Sequence, residues 1–386
     1  MAAYTYPSTD RVLYGTGVLA ELAQECDRLG AHRVLLLSTP SLEGSQIEGT
    51  VREQLGERCA AVSHECSQHV PSDAVDRLIA VGRDVAPDAV VTVGGGSVTD
   101  AAKALAAALA DGFQDAAGLR ARRIVFEYPD RLEMPALEGE PIPLVSIPTT
   151  LSAAEYDGIF GITHEGTKDL YNDVRLAPRS VFLDPEAARE TPPQLWKASG
   201  IRALDHAVEI YLSGTPTPVT DAASLHAVRL LFAHLAHTDD DSRLACLQAA
   251  WLSMLGVDNV TLGLSHGIGH QIGARCGIPH GVTSCVMLPT VMARMVDVAT
   301  DRLADLAHAM DPRTTTLTQR EAAARAPELV RRFIGDLGLP TRLSEAGVAE
   351  SDYEPIADDA MRDFVVAFAP VEVSRQEIIT LLARAQ

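Results

Sequence analysis

Asp88-Ala-Val-Val-Thr-Val-Gly-Gly-Gly-Ser-Val-Thr-Asp100 is the stretch from which the fold of this chain can be read. Its first six residues form a short apolar run without alternation. That is the pattern of a strand buried on both faces. Gly94, Gly95 and Gly96 then turn the chain into an Ala-rich helix expected over 101–109. Glycine lets a backbone approach a phosphate closely, and a helix N-terminus offers free N–H groups with a positive dipole. Three consecutive glycines replace the GxGxxG of the dinucleotide fingerprint, so the run reads as a phosphate loop of another kind. Ser97 is placed to cap the helix or to donate to a phosphate. Lys103 lies about two turns in and reads equally as an inward-reaching or a solvated side chain.

Working outward, Arg33-Val-Leu-Leu-Leu-Ser38 and Pro143-Leu-Val-Ser-Ile-Pro148 are further buried strands. Shorter strands are expected within 10–17, at 60–63, at 160–163 and at 180–184. Helical spacing fills 18–29, 46–56 and 72–85. Strands alternating with helices make an open α/β sheet, which binds ligands at the C-terminal ends of its strands. Thr149 and Thr150 follow one such strand. Thr39 follows another, where a carboxylate would grip the adenosine ribose of NAD; Glu43 is the nearest acid, so the choice between NAD and NADP stays open. Residues 111–140 carry much charge and little period. From Thr191 strand signals stop and helical periodicity runs to the end. The expected organisation is an α/β nucleotide-binding domain over 1–188 and an all-α domain over 189–386.

The chain has 386 residues, is 47% apolar, and carries a formal net charge of −20. Such a charge disfavours nucleic acid and anionic membrane as partners. The six cysteines form no CxxC pair and read as free thiols in a reducing compartment. The opening Met-Ala-Ala-Tyr-Thr-Tyr-Pro has no signal-peptide pattern, and no apolar stretch is long enough to span a bilayer. The expected location is the cytoplasm.

The second informative stretch is Gly263-Leu-Ser-His-Gly-Ile-Gly-His-Gln-Ile-Gly-Ala-Arg-Cys-Gly-Ile-Pro-His-Gly281. It holds three of the twelve histidines. His266 and His270 are four apart and share a helix face, about 6 Å apart along the axis. Pro279 is expected to end that helix, with His280 on a turn. Three imidazoles so spaced could bind a metal, donate hydrogen bonds to a substrate or relay protons.

Together, Gly94-Gly-Gly-Ser-Val-Thr-Asp-Ala-Ala-Lys103, Ile147-Pro-Thr-Thr150, Gly200-Ile-Arg-Ala-Leu-Asp-His-Ala-Val-Glu209, Gly263-Leu-Ser-His-Gly-Ile-Gly-His270 and Ile278-Pro-His-Gly281 resemble the iron-containing (group III) alcohol dehydrogenase family, whose fold is that of dehydroquinate synthase. The resemblance covers nearly the whole chain. Pro148-Thr-Thr-Leu-Ser-Ala-Ala-Glu155 with Phe160-Gly-Ile-Thr-His-Glu-Gly-Thr-Lys168 is similar to the maleylacetate reductase branch. The resemblance implies NAD(H) or NADP(H) held by Gly94, Gly95, Gly96, Ser97, Asp100, Thr149 and Thr150, with Thr39 and Lys168 joining the set. It also implies a homodimer. In metal-dependent members one Asp and three His bind Fe²⁺ or Zn²⁺. The matching positions are Arg202, His206, His266 and His280, with His270 a further active-site histidine.

Arg202 breaks that pattern. A guanidinium has no lone pair to give and stays protonated, so it cannot ligate a cation and repels one nearby. His206, His266 and His280 could still make a three-His zinc site. Asp205 lies about 100° round the helix from His206. The maleylacetate reductases that this chain resembles are held to work without metal, and there Arg202 would clamp a substrate carboxylate. A second departure is Leu288-Pro-Thr290, where the family usually has a His after the Pro.

The expectation is an NAD(P)H-dependent reductase acting on a small unsaturated or oxo acid. His270, His206 and Arg202 are its catalytic residues, with His270 the proton donor. Alternatives are a metal-dependent alcohol dehydrogenase or aldehyde reductase using His206, His266 and His280, and a dehydroquinate synthase-like lyase.

Overall fold

In the computed structural model, strand β4 (Ala89–Gly94) is buried along its whole length. The structure describes residues 3–6, 8–127, 131–165 and 167–386. Met1, Ala2 and Pro7 of the N-terminal reading, residues 128–130 of the weakly patterned stretch and Gly166 of the branch segment lie outside these.

Six strands form one sheet: β1 (Arg11–Tyr14), β2 (Val34–Leu37), β3 (Cys59–Ser63), β4, β7 (Leu144–Pro148) and β10 (Ser180–Leu183). Their order is β1-β10-β7-β4-β2-β3, and every pairing is parallel. Short strands β5 (Val125–Glu127) and β6 (Arg131–Glu133) pair in the stretch where the sequence showed little period. Strands β8 (Ile159–His164) and β9 (Thr167–Asn172) form an antiparallel hairpin.

Both faces of the sheet are covered, which is why its strands lack alternation. Val34 and Leu36 enter a core with Val51, Leu55 and Phe182. Leu35 and Leu37 enter the opposite core with Leu78, Ile79 and Leu105. The first is packed by α1 (Leu22–Leu29) and α2 (Gln46–Leu55), the second by α3 (Ser72–Val85), α4 (Gly96–Asp111) and the short α5 (Ala116–Leu119). Helix α4 is buried almost all round, including Lys103, and its run of alanines lets neighbours come close. Gly82 on α3 completes that fit, since a Cβ there would lie 2.5 Å from a Leu105 methyl.

The chain leaves β2 toward β3 at the sheet edge and returns to β4 on the other side of β2. The C-terminal ends of β2 and β4 therefore flank a topological switch point, where open α/β sheets bind ligands.

After β10 the chain is helical: α6 (Pro193–Tyr211), α7 (Pro218–His234), α8 (Asp240–Met254), α9 (Leu264–Cys276), α10 (His280–Met295), α11 (Thr300–Met310), α12 (Gln319–Asp336), α13 (Tyr353–Ala360), α14 (Phe364–Ala367) and α15 (Arg375–Arg384). Helix α6 packs against α7, α8 and α10. Gly277, in the left-handed conformation, closes α9. His280 does not sit on a turn as expected. Pro279 stands at the N-cap position, a place its missing N–H does not harm, so His280 is the first residue of α10.

Two compact units divide the chain. One comprises Pro7–Val125 and Glu133–Thr191; the other comprises Met1–Tyr6, Phe126–Leu132 and Pro192–Gln386. Against the expected 1–188 and 189–386, the division falls at Thr191/Pro192, and two short segments join the helical unit. No helix among the described residues is long and apolar enough to cross a membrane.

Candidate functional site

In the α/β unit Thr39, Gly94, Gly95, Gly96, Thr149 and Thr150 come together at the switch point, while Asp100 and Lys168 lie by Gly161 of the β8–β9 hairpin. Gly94 has φ +156°, and a Cβ on it would lie 2.5 Å from a Val98 methyl and 3.8 Å from that of Thr39. Thr39 thus lies just past the end of β2 beside the loop, its hydroxyl 2.8 Å from that of Ser41. Gly95 faces Thr150, whose Oγ1 would be 3.0 Å from an added Cβ, and Gly96 faces Ser152 at the same distance. The Thr149 N–H donates to the Gly94 carbonyl, and Thr191 donates to the Thr149 carbonyl at 2.6 Å.

Helix α4 begins at Gly96 with no side-chain cap and no acid in its first turn. Ser97 lies in that turn, whose N–H groups have no intrahelical acceptor. A glycine cradle against an uncapped helix N-terminus fits the phosphates of a nicotinamide nucleotide. Asp100 follows one turn on and accepts from the Gly161 N–H; burial raises its pKa, against the pull of Lys168 and Lys103. Gly161 leaves room for the Lys168 side chain, with which any Cβ there would clash.

Lys103 does not point to solvent. Its ammonium donates to Asp157 Oδ1 at 2.9 Å and to the carbonyls of Ala154 and Ile159 at 2.7 and 2.8 Å. It ties α4 to the loop that carries Ser152 and Glu155. Sequence reasoning missed Ser152 and Asp157 because neither is marked by a motif of its own.

The second cluster lies within the helical unit. Arg202, Asp205, His206 and Glu209 stand at i, i+3, i+4 and i+7 on α6, one face of a helix. Helix α9 begins against that face. Glu209 accepts the N–H groups of Gly263, Ser265 and His266 at 2.9, 2.7 and 3.2 Å, acting as the cap of α9 from another helix. His266 Nδ1 lies 2.6 Å from Glu209 Oε2 and 3.6 Å from Asp205 Oδ2. Asp205 Oδ2 also accepts from Ser265 at 3.0 Å and Ser284 at 2.6 Å. The His206 and His266 rings stack with centroids 4.8 Å apart. His270, one turn further along α9, meets His280 edge-on at 5.8 Å.

Arg202 lies against the same groups. Its Nη1 is 3.3 Å from Ser284 Oγ and 3.8 Å from Asp205 Oδ2, and 13% of its side chain is exposed. Burial, and then the Arg202 charge, keep the His206 and His266 pKa values well below the ordinary range, so both imidazoles are neutral near pH 7. Burial and the neighbouring Glu209 push the Asp205 carboxyl up to about 8. Burial raises the Glu209 pKa as well, so the two carboxyls compete for a proton beside Arg202.

Among the described residues, the metal-type trio whose ligating atoms all lie within 4.8 Å of one another is Asp205, Glu209 and His266. The expected His206, His266 and His280 are not such a trio. His206 and His266 stack on one another, while His280 meets His270 instead. Carboxylate and imidazole donors suit Fe²⁺ or Zn²⁺ by type, but as arranged they do not fit a resident cation. Glu209 is taken up by three N–H groups and Asp205 by two hydroxyls. A guanidinium, which repels cations, borders the set. His206 Nδ1, His266 Nε2 and Asp205 Oδ1 are buried with no hydrogen-bond partner, which marks where a polar ligand would be accepted. Thr290, at the second departure, is buried with its hydroxyl unpartnered. Glu209 was quoted in the sequence but not assigned to the site; the i, i+3, i+4, i+7 spacing was the available signal.

The chain is similar to known proteins over nearly its whole length. The model of iron-containing alcohol dehydrogenases matches residues 9–185, and that of the family's C-terminal region matches residues 197–386. Long-chain-alcohol dehydrogenase 1 of Geobacillus thermodenitrificans is 31% identical over 373 residues, covering 94% of this chain and 91% of that protein. Maleylacetate reductase of Pseudomonas aeruginosa is 30% identical over 382 residues, covering 96% and 94%. The crystal structure of maleylacetate reductase from Agrobacterium tumefaciens superposes with a TM-score of 0.81 at 26% identity, covering all of this chain and 98% of that one. This chain is an oxidoreductase and belongs to the iron-containing alcohol dehydrogenase family.

Proposed function

We propose that this enzyme uses a nicotinamide nucleotide to reduce a small unsaturated or oxo carboxylic acid, in the manner of a maleylacetate reductase. The observation that carries the reading is Arg202: a guanidinium with a single loose ion pair, beside two neutral imidazoles, where a metal-binding carboxylate is expected. It supplies fixed positive charge and paired N–H donors, which match a substrate carboxylate. The similarity to maleylacetate reductases supports it. The nucleotide, held by the glycine cradle, Ser97, Asp100, Thr149, Thr150, Thr39 and Lys168, would supply the hydride. The α6 face orients the acid through Arg202, with His206 lining the site, and His270 delivers the proton. On this reading the enzyme works in the cytoplasm, where its six free cysteines stay reduced, as a homodimer.

A second reading is a metal-dependent alcohol or aldehyde reductase. It is favoured by the buried, unpartnered His206 Nδ1 and His266 Nε2 and by the alcohol dehydrogenase relative. One experiment separates the two. Iron and zinc content are measured, and NADH and NADPH loss is followed with maleylacetate and with simple aldehydes, with and without chelator. Chelator-resistant consumption with maleylacetate is expected. Stoichiometric metal, with activity lost to chelator and restored by Fe²⁺ or Zn²⁺, favours the second reading. Turnover of a cyclising phosphate substrate without net nucleotide consumption would point to lyase chemistry instead.

A further inference from the structure

His270 does not stand alone. Its Nδ1 lies 3.1 Å from Oδ2 of Asp363, ninety-three residues further along the chain. The same oxygen accepts from Gln271 Nε2 at 2.9 Å. Asp363 Oδ1 meanwhile accepts the Val365 N–H at 2.8 Å and caps α14. The carboxylate is 7% exposed, against 25% for His270. Helix α14 is seated on α9 one turn before His270, because Gly267 carries no side chain; a Cβ there would clash with a Val366 methyl. Both oxygens of Asp363 are thus committed, and the segment bearing it is docked against the helix bearing His270.

We propose that Asp363 is a positioning residue that acts through His270. This rests on the reading of His270 as the proton donor. An ionised carboxylate only accepts hydrogen bonds, so the hydrogen on this side of the ring must be on Nδ1. Nε2 is left as the atom that gives and regains the proton. Before transfer both ring nitrogens carry hydrogen, and Asp363 holds the ring in place through Nδ1. When the substrate takes a hydride at one carbon, the Nε2–H bond breaks and its proton goes to the substrate oxygen or neighbouring carbon. The ring is left as the neutral Nδ1–H tautomer, the form Asp363 accepts from. Water then returns the proton to Nε2, which the partial exposure of His270 permits. Removing Asp363 frees the ring to turn and to adopt the other tautomer.

The test compares wild type, Asp363→Asn, Asp363→Ser, His270→Gln and Asp363→Asn/His270→Gln, with NADH and maleylacetate. Serine at 363 can still cap α14 but is too short to hold the ring, so it separates capping from orientation. His270→Gln, Asp363→Asn and Asp363→Ser are each expected to lower kcat by roughly 10- to 100-fold, with KM for NADH within about twofold of wild type. The double variant should be no slower than His270→Gln alone, as for residues acting as one unit. If His270→Gln keeps wild-type kcat, the proton-donor reading fails. If it is slow while Asp363→Ser and Asp363→Asn are not, or if the effects multiply, the Asp363 inference fails and the donor reading stands. Long-range ¹H–¹⁵N spectra of histidine-labelled enzyme give an answer that needs no substrate. In spectra taken at a pH where the ring is neutral, the His270 signal, identified by its loss in His270→Gln, should show the Nδ1–H tautomer in the wild type and a mixture in Asp363→Ser. An Nε2–H tautomer in the wild type overturns the proposal.

Discussion

Arg202 Nη1 and Asp205 Oδ2 lie 3.8 Å apart on the same face of α6. That is a loose ion pair, and its acidic partner is the group whose pKa burial and Glu209 push up to about 8. A guanidinium beside a carboxyl that prefers its proton keeps most of its charge for something else. Arg202→Ala should raise KM for an acidic substrate by roughly 10- to 100-fold, the worth of a charge-assisted pair. The KM for an uncharged aldehyde should change little. Arg202→Lys should recover only part, lacking the planar fork. Steady-state kinetics on the two substrate types decide it, and wild-type constants in Arg202→Ala would remove the clamp.

Glu209 caps α9 from α6 through three N–H groups and also binds the His266 ring. Glu209→Ala leaves those buried donors unpaired, at about 1–3 kcal/mol for each group so stranded. The expected result is a clear fall in the urea midpoint together with loss of activity. Glu209→Gln, which still offers one accepting oxygen, should lose less.

Stability should depend on pH in two opposed ways. His206 and His266 are held well below their ordinary pKa of 6.5, first by burial and then by Arg202. The unfolded chain therefore binds more protons than the folded one at acid pH, and stability falls as pH drops below about 6.5. Asp205 acts in the other sense. Its contribution is fully present below its ordinary 3.8 and is lost as pH rises through about 8. Urea midpoints measured from pH 5 to 9 should trace a maximum. Asp205→Asn should flatten the alkaline side, and an unchanged alkaline slope in that variant would show that another group titrates there.

Lys103→Met should strand the Asp157 carboxylate and two carbonyls that the buried ammonium now satisfies. Breaking a buried pair by removing one partner typically costs about 3–5 kcal/mol. Because Lys103 ties α4 to the Ser152–Glu155 loop, the affinity for NADH should drop as well, as fluorescence titration would show. Full affinity in a folded Lys103→Met protein would confine the lysine to the core.

The residues that made the fold legible are those whose roles are local. Val90, Val91 and Leu35 announce strands covered on both sides, and Gly94 to Gly96 announce the turn into α4. The family's motifs brought Arg202, His206, His266 and His270 into one discussion before any contact was known. What stayed hidden depends on which elements dock. Asp205 looked turned away from His206 on a helical wheel, yet His266 packs where it meets both. Asp363 bears on His270 only because α14 rests on Gly267. Lys103 has no periodicity that separates a buried ammonium from a solvated one. His280 was misplaced because proline stops one helix and starts the next with equal ease.

The bare backbone at Gly82 has a practical consequence for anyone who wants a hardier version of this protein. A glycine inside a helix is an obvious target, since alanine there ordinarily gains about 1 kcal/mol. Here a methyl group would lie 2.5 Å from Leu105. The exchange would force the Leu105 side chain out of its place between α3 and α4. Stabilisation at this spot has to come as a pair, with Leu105 trimmed when Gly82 is filled, or it has to be sought elsewhere.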